Sequence, residues 1–414
     1  MLCTTSNGMN TKKIAYLLVF SLVLGFAGVA YGASEDTRYL VKSSSNFWKK
    51  SFGVRHEFKE GFTTDLSDWQ LRVARMFGIE VVLVKKLFVL PESLSLVGTD
   101  GVDGVKGKPT GSSTKPVPSD QIPWGIEAVY GSKLLLDKPS GGVDINIAVL
   151  DTGILRTHPD LKNRIKGCKD FTSAKQPIVD NSCDDKNGHG THVAGTIAAR
   201  DNEIGVVGVA PEANLYAVKV LDKRGSGSWS SVICGIDWVT GKAGEIKVAN
   251  MSLGGSGSSD NDCGQTNNDA LHQAICKSMN VGITYVVAAG NENDNAANHV
   301  PAAYNDAVIT ISALVDTDGS PGGFGDPTGY GSDDTFASFS NYGDVVDLGA
   351  PGVNIYSTWK NGGYNTISGT SMATPHVAGA VALYLKSHPD SLWTQTLFPP
   401  AHTFWLKLKN PVGS

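Results

Sequence analysis

From Val143 onward, short runs rich in β-branched residues alternate with stretches of helical periodicity, and this alternation limits the possible folds more than any other feature of the chain. The runs span Ile145 to Leu150, Leu215 to Leu221, Ile246 to Leu253, Gly282 to Ala289 and Ala307 to Ala313. Helices are predicted over Gly190 to Arg200, Trp229 to Val239, Asn268 to Met279 and Met372 to Lys386. Runs that are apolar on both faces must be covered on both sides, so the expected class is α/β, a parallel sheet with helices on both faces. Reactive groups in such sheets collect at the carboxyl ends of strands, which is where Asp151 and Asn291 fall.

A chain of 414 residues with 41% hydrophobic content can build this core and a smaller domain beside it. Its 35 basic and 40 acidic residues leave a formal charge of -5 without any block of like charge, so no nucleic acid partner is expected. Lys12 and Lys13 precede an uncharged stretch from Ile14 to Ser34, and Ala30-Tyr31-Gly32 offers the small residues of a signal cleavage site. Residues 1–33 therefore read as a secretory signal and the product as secreted; a retained membrane anchor, or a start at Met9, are the alternatives.

Residues 34–97 form a second unit, small and α+β: extended from Arg38 to Lys42, helical from Asp68 to Phe77, extended again from Val81 to Leu90. Residues 98–120, rich in Gly, Pro, Ser, Thr and Lys, read as a protease-accessible linker. Residues 121–390 then make the large domain and 391–414 a separate tail. Beyond the signal there are five cysteines. Cys168 with Cys183 and Cys263 with Cys276 are close in sequence and lie in Gly/Asn/Asp-rich segments, whereas Cys234 sits in an apolar helical run, so two bridges and one buried thiol are expected. Each bridge would contribute about 3 kcal/mol in the chain-entropy model.

Three segments concentrate glycine around one reactive side chain: Val149-Leu-Asp-Thr-Gly-Ile154, Asn187-Gly-His-Gly-Thr-His-Val-Ala-Gly195 and Gly369-Thr-Ser-Met-Ala-Thr-Pro-His-Val-Ala-Gly379. A serine hydroxyl is a poor nucleophile until a histidine takes its proton, and the histidine needs a carboxylate to hold its tautomer. Taken singly, each motif has an ordinary explanation as a turn, a polar residue or a helix cap. Together, in the order Asp, His, Ser, they resemble the subtilisin-like serine proteases over roughly residues 121–387.

That resemblance implies a secreted, broadly specific endopeptidase working through an acyl-enzyme, with Asp151 orienting, His189 as base and Ser371 as nucleophile. It makes Asn291, in Ala288-Ala-Gly-Asn291, the oxyanion donor; a helix start at Ser371 would supply a second donor from the backbone. It places Gly225, Ser226 and Gly227 on one side of a bound peptide strand and Ser252, Leu253 and Gly254 on the other, with Gly254 and Gly290 lining the pocket for the residue before the cut.

The same resemblance implies structural calcium held by Asp160 and Asn202, by the carbonyls of Arg200, Ile204 and Val206, and by Asp120 or Gln121. The Gly-rich loop holding Asp316, Asp318, Asp326, Asp333 and Asp334 either binds further calcium or is a solvated acidic loop. Protein and peptide substrates are the expected partners of a monomer. The 34–97 unit would be its intramolecular inhibitor and folding chaperone, released by an autocatalytic cut between Thr110 and Gln121. His192 and His376 are expected to be structural. The proline-rich segment from His388 to Ser414 departs from the family pattern. A binding protein on an inactive version of this fold is the competing class, but such a chain would have lost one of Asp151, His189, Ser371 and Asn291. A membrane-anchored processing protease of narrow specificity is a third reading, favoured if the first 34 residues are retained.

Overall fold

A computed structural model describes residues 38–58, 61–89, 121–130, 144–173, 178–318 and 322–388. The expected signal, linker and C-terminal tail lie outside these residues. The chain divides into two units, one containing residues up to Lys85 together with Ser173–Ile178, the other the remainder.

In the first unit, β1 (Arg38–Val41), β2 (His56–Phe58), β3 (Gly61–Asp65) and β4 (Val81–Leu83) form an antiparallel sheet in the order β2-β3-β1-β4. Helix α1 (Asn46–Phe52) lies between β1 and β2 in the chain and α2 (Asp68–Met76) between β3 and β4. Ser67 and Gln70 cap α2 reciprocally, which supplies partners to donors at its start. Val41, Phe52, Phe62, Leu66 and Ala74 make the core. The α+β reading holds, but the single extended run expected from Val81 to Leu90 is two strands. β4 stays in this sheet, whereas β5 (Lys86–Val89) spends its hydrogen bonds in the second unit.

The second unit is built on parallel strands. After α3 (Trp124–Tyr130) come β6 (Asn146–Asp151), β7 (Ile165–Asp170) and β8 (Val179–Asp180), then α4 (His189–Ala198), β9 (Asn214–Lys219) and β10 (Ser226–Ser228). They are followed by α5 (Trp229–Thr240), β11 (Ile246–Met251), β12 (Leu253–Ser256), α6 (Ala270–Met279) and β13 (Thr284–Ala288). The chain continues through β14 (His299–Val300), β15 (Ile309–Val315), β16 (Thr335–Phe336), β17 (Leu348–Pro351), the hairpin β18 (Ile355–Thr358) and β19 (Tyr364–Ile367), and α7 (Thr370–Ser387). The strands β17-β15-β13-β11-β6-β9-β7 are all parallel, with β16 paired antiparallel to β15 and β8 antiparallel to β7.

Both faces of the sheet are dry, as the unbroken apolar runs require. Val149, Ala217, Val248 and Val286 pack with Val193 and Ile197 of α4 and with Ala373, Val377 and Val381 of α7. Alternate residues point the other way, where Gly235 of α5 lies against Val218 and Leu150. The run expected from Ile246 to Leu253 breaks at Ser252, and β12 leaves the main sheet to join β10, β5 and β14 in a second one.

Cys168–Cys183 and Cys263–Cys276 are disulfides, as expected. Cys234 is buried as predicted but is not a free thiol: it too is disulfide-bonded. Among the described residues no helix is long and apolar enough to cross a membrane.

Candidate active site

Asp151 is the last residue of β6 and is wholly buried. Its carboxylate faces Nδ1 of His189, at 2.8 Å from Oδ1 and 3.0 Å from Oδ2, and Oδ1 also accepts from the Thr152 backbone N–H at 2.7 Å. Nδ1 facing a carboxylate carries the ring proton, so Nε2 is the basic atom. His189 opens α4, and the helix can come this close to the strand end because residue 190 is glycine. A Cβ there would stand 2.2 Å from the Gly153 carbonyl oxygen.

Thr152 ties the two elements. Its hydroxyl accepts from Gly190 N–H at 3.0 Å and donates to Asp185 at 3.0 Å. Asp185, also buried, accepts in addition from the backbone of Asn187, Gly188 and Thr191 and from the Thr191 hydroxyl. Neither Thr152 nor Asp185 was singled out from the sequence; a carboxylate four residues before His189 in an Asp/Asn-rich loop looks solvated until the fold buries it.

Ser371 is the second residue of α7, where backbone N–H groups have no partner within the helix. Its hydroxyl donates to the Ser252 carbonyl at 3.2 Å, and the Ser252 hydroxyl donates to the Ser371 carbonyl at 2.9 Å. That carbonyl is open to a side chain because the residue four positions on is Pro375, which has no N–H to give it. The Asn291 side-chain oxygen accepts from both the N–H (2.9 Å) and the hydroxyl (2.8 Å) of Thr370, which turns the Nδ2 donor toward the start of α7, beside Gly369. The loop carrying Asn291 is fixed by Asn341, whose amide accepts from Glu292 and Asp294 N–H and donates to the Ala289 carbonyl. Gly290 in this loop has φ +114, and a Cβ there would stand 2.1 Å from Asn341 Nδ2.

Residues 142–400 match the model of the Subtilase family. A subtilisin from a Bacillus species (strain TA39) is 37% identical over 349 residues, 83% of this chain and 78% of that protein. A thermostable alkaline protease of Halalkalibacterium halodurans is 44% identical over 273 residues, 66% of this chain and 65% of that one. Among solved structures, sphericase superposes with TM-score 0.56 at 36% identity, covering 66% of this chain and 87% of that one. The chain belongs to the subtilase family. It is a subtilisin-like serine endopeptidase, a hydrolase, and the expected α/β fold is that of its relatives.

In this subtilase the two expected strand edges are close enough to hold a strand between them, and they hold β5. Antiparallel pairing sets Ser226 against Phe88 and Gly227 against Leu87 on one side, and Leu253 against Val89 and Gly254 against Phe88 on the other. Gly225, at φ +74, accepts at its carbonyl from Val89 N–H at 2.7 Å. Leu87 is fully buried while Phe88 is 47% exposed, as the alternation of a strand requires. Gly225 to Gly227 is thus not a loose loop. Ser252 adjoins the pairing residue Leu253 and faces Ser371. Gly254 pairs with β5, whereas Gly290 lies against Asn341 and Thr370.

The residues expected to bind metal also come together. Asp160, wholly buried, accepts from Val206 N–H at 3.0 Å, and its own carbonyl accepts from Arg200 N–H at 3.0 Å. Asn202 turns its amide nitrogen toward Asp160 at 3.4 Å, and its oxygen accepts from Ile204 N–H at 3.3 Å. Burial pushes the Asp160 carboxyl above its usual range, against the opposing effects of Val206 N–H, the Tyr364 hydroxyl, His158 and Asn202. Of the two candidates from the start of this domain, Gln121 bonds Gly205 and Val207 and pairs with Val206; Asp120 lies outside the described residues.

In the acidic loop, ligand atoms of Asp316, Asp333 and Asp334 lie within 4.8 Å of one another. Asp333 accepts from Thr317 and Gly325 N–H, and Asp334 from Gly322 and Gly323, so loop closure already uses these carboxylates. His192 and His376 are wholly buried on main-chain carbonyls, and burial lowers them to about 3 and about 4 respectively.

Proposed function

We propose that this subtilase hydrolyses peptide bonds in extended protein segments with broad specificity, using Asp151, His189, Ser371 and Asn291. The carrying observation is the buried Asp151 carboxylate on His189 Nδ1, which reserves Nε2 for the Ser371 proton. For attack, the Ser371 hydroxyl hydrogen passes from the Ser252 carbonyl to His189 Nε2 while Oγ bonds to the substrate carbonyl carbon. The resulting oxyanion is held by Asn291 Nδ2 and the Ser371 backbone N–H, both fixed before reaction. Imidazolium then gives the proton to the leaving amine, and water repeats the sequence on the acyl-enzyme. Main-chain pairing along residues 225–227 and 252–254 supplies affinity independent of sequence, which is the reason for broad specificity. Casein hydrolysis that a serine-directed inhibitor abolishes is the expected result; none by the folded, calcium-loaded protein would exclude the enzyme reading.

The chain is made as a secreted precursor with residues 1–33 as signal, 34–97 as inhibitor and chaperone, and a cut between Thr110 and Gln121. What supports inhibition is the substrate-like pairing of β5. Removing the buried Leu87 by Leu87→Asp should shorten the lag before precursor becomes active by roughly ten- to a hundredfold, from about 1.5–3 kcal/mol of lost burial. An unchanged lag in a peptide-hydrolysis time course would exclude β5 as the inhibitory strand.

Calcium is the ion that fits Asp160, Asn202 and the carbonyls of Arg200, Ile204 and Val206. The donors are hard oxygens, and a buried carboxyl raised by desolvation is what a cation would relieve. Bound there, the ion would tie the segment after α4 to Asp160. At calcium a thousandfold above its dissociation constant, chelation should lower Tm by about 10 °C, and Asp160→Asn should remove that difference, as read by calorimetry.

A further inference from the structure

Lys219 is the last residue of β9 and the parallel register partner of Asp151, one strand spacing away at about 4.8 Å. It is 7% exposed, and its ammonium donates to the carbonyls of Thr152 and, at 3.0 Å, of Leu221 rather than to a carboxylate. One of those carbonyls belongs to the residue directly after Asp151, the same residue whose N–H orients the Asp151 carboxylate.

The charges facing Lys219 come from every element around it: Asp151 on β6, Asp170 at the end of β7, Asp185 before α4 and Asp222 after β9. Three of these are already satisfied in their own loops. Asp170 accepts from Thr172, Asp185 from Thr152 and the start of α4, and Asp222 from the guanidinium and backbone N–H of Arg224 and from Ser226 N–H. The ammonium is therefore not the partner of any one carboxylate. Burial opposes its charge and these four carboxylates sustain it.

We infer that Lys219 is a positioning residue for the catalytic reaction: it clamps the strand end that carries Asp151, and its positive charge opposes protonation of His189. The inference rests on His189 being the base. A buried cation on the strand beside Asp151 disfavours the imidazolium in the free enzyme, so activity persists to lower pH than it otherwise would.

Lys219→Met and Lys219→Gln remove the charge, and the second keeps amide donors for the two carbonyls. Both should move the acidic limb of kcat/KM against pH upward by about 0.5–1 unit, the order expected when one unit charge on the neighbouring strand is removed at a high effective dielectric. The rate of Ser371 modification by a sulfonyl fluoride should shift in parallel, whereas Lys219→Arg should leave the limb in place. A structural role alone would lower Tm or the plateau rate without moving the limb. If either neutral variant that folds gives a limb superimposable on the wild type, the inference is overturned. His189→Ala separates the two readings: retained activity with an acidic limb would overturn the assignment of the base itself.

Discussion

Replacing Ser371 with alanine is expected to lower the rate of peptide hydrolysis by about 10⁶-fold, the size known for the corresponding loss in subtilisin, and to leave the precursor uncut. The change removes one oxygen at the start of α7. It leaves Asp151 on His189, Asn291 on Thr370 and both strand edges untouched. Binding should persist, with a residual rate about 10³–10⁴ above water from the oxyanion donors and substrate positioning. Single-turnover rates on a peptide amide, with intact-mass measurement of the purified precursor, read both effects. Efficient maturation of Ser371→Ala would exclude autocatalytic processing, and undiminished hydrolysis would exclude Ser371 as nucleophile.

Asn291→Ala should reduce kcat by about 10²–10³-fold with little change in KM, because Nδ2 meets negative charge only after the carbonyl has been attacked. In the folded protein the same side chain also accepts two bonds from Thr370. Alanine therefore leaves the Thr370 N–H without its partner at a cost of about 1 kcal/mol in stability. The two roles separate by measurement: Asn291→Asp keeps the acceptor for Thr370 but removes the donor. It should fold with a Tm near wild type and remain as slow as the alanine variant. An Asn291→Asp enzyme with wild-type kcat would remove Asn291 from the oxyanion site.

The legible parts of this protein were those written in local pattern. Dry β-branched runs separated by helices forced a covered parallel sheet, and five of its seven parallel strands fall in those runs. Asp151, His189 and Ser371 were marked by the glycines that let helix and strand ends approach, as Gly190 does. The run from Val81 to Leu90 was misread as one element because hydropathy cannot say with which sheet a strand will spend its hydrogen bonds. Composition alone placed β5 with the small unit; its pairing with Ser226–Ser228 and Leu253–Gly254 places it with the large one.

By itself, the sequence determined the class of fold, the order of the three motifs and the residue types available to them, because each depends on neighbours a few positions apart. Only the tertiary structure decided which polar groups lost water. Asp185, Lys219 and Asn341 look like ordinary surface residues in the chain, and burial between β6, β9 and α4, or beneath the Asn291 loop, turns them into fixed parts of the site. Burial depends on segments far apart in sequence, which is the physical reason no local pattern announces it.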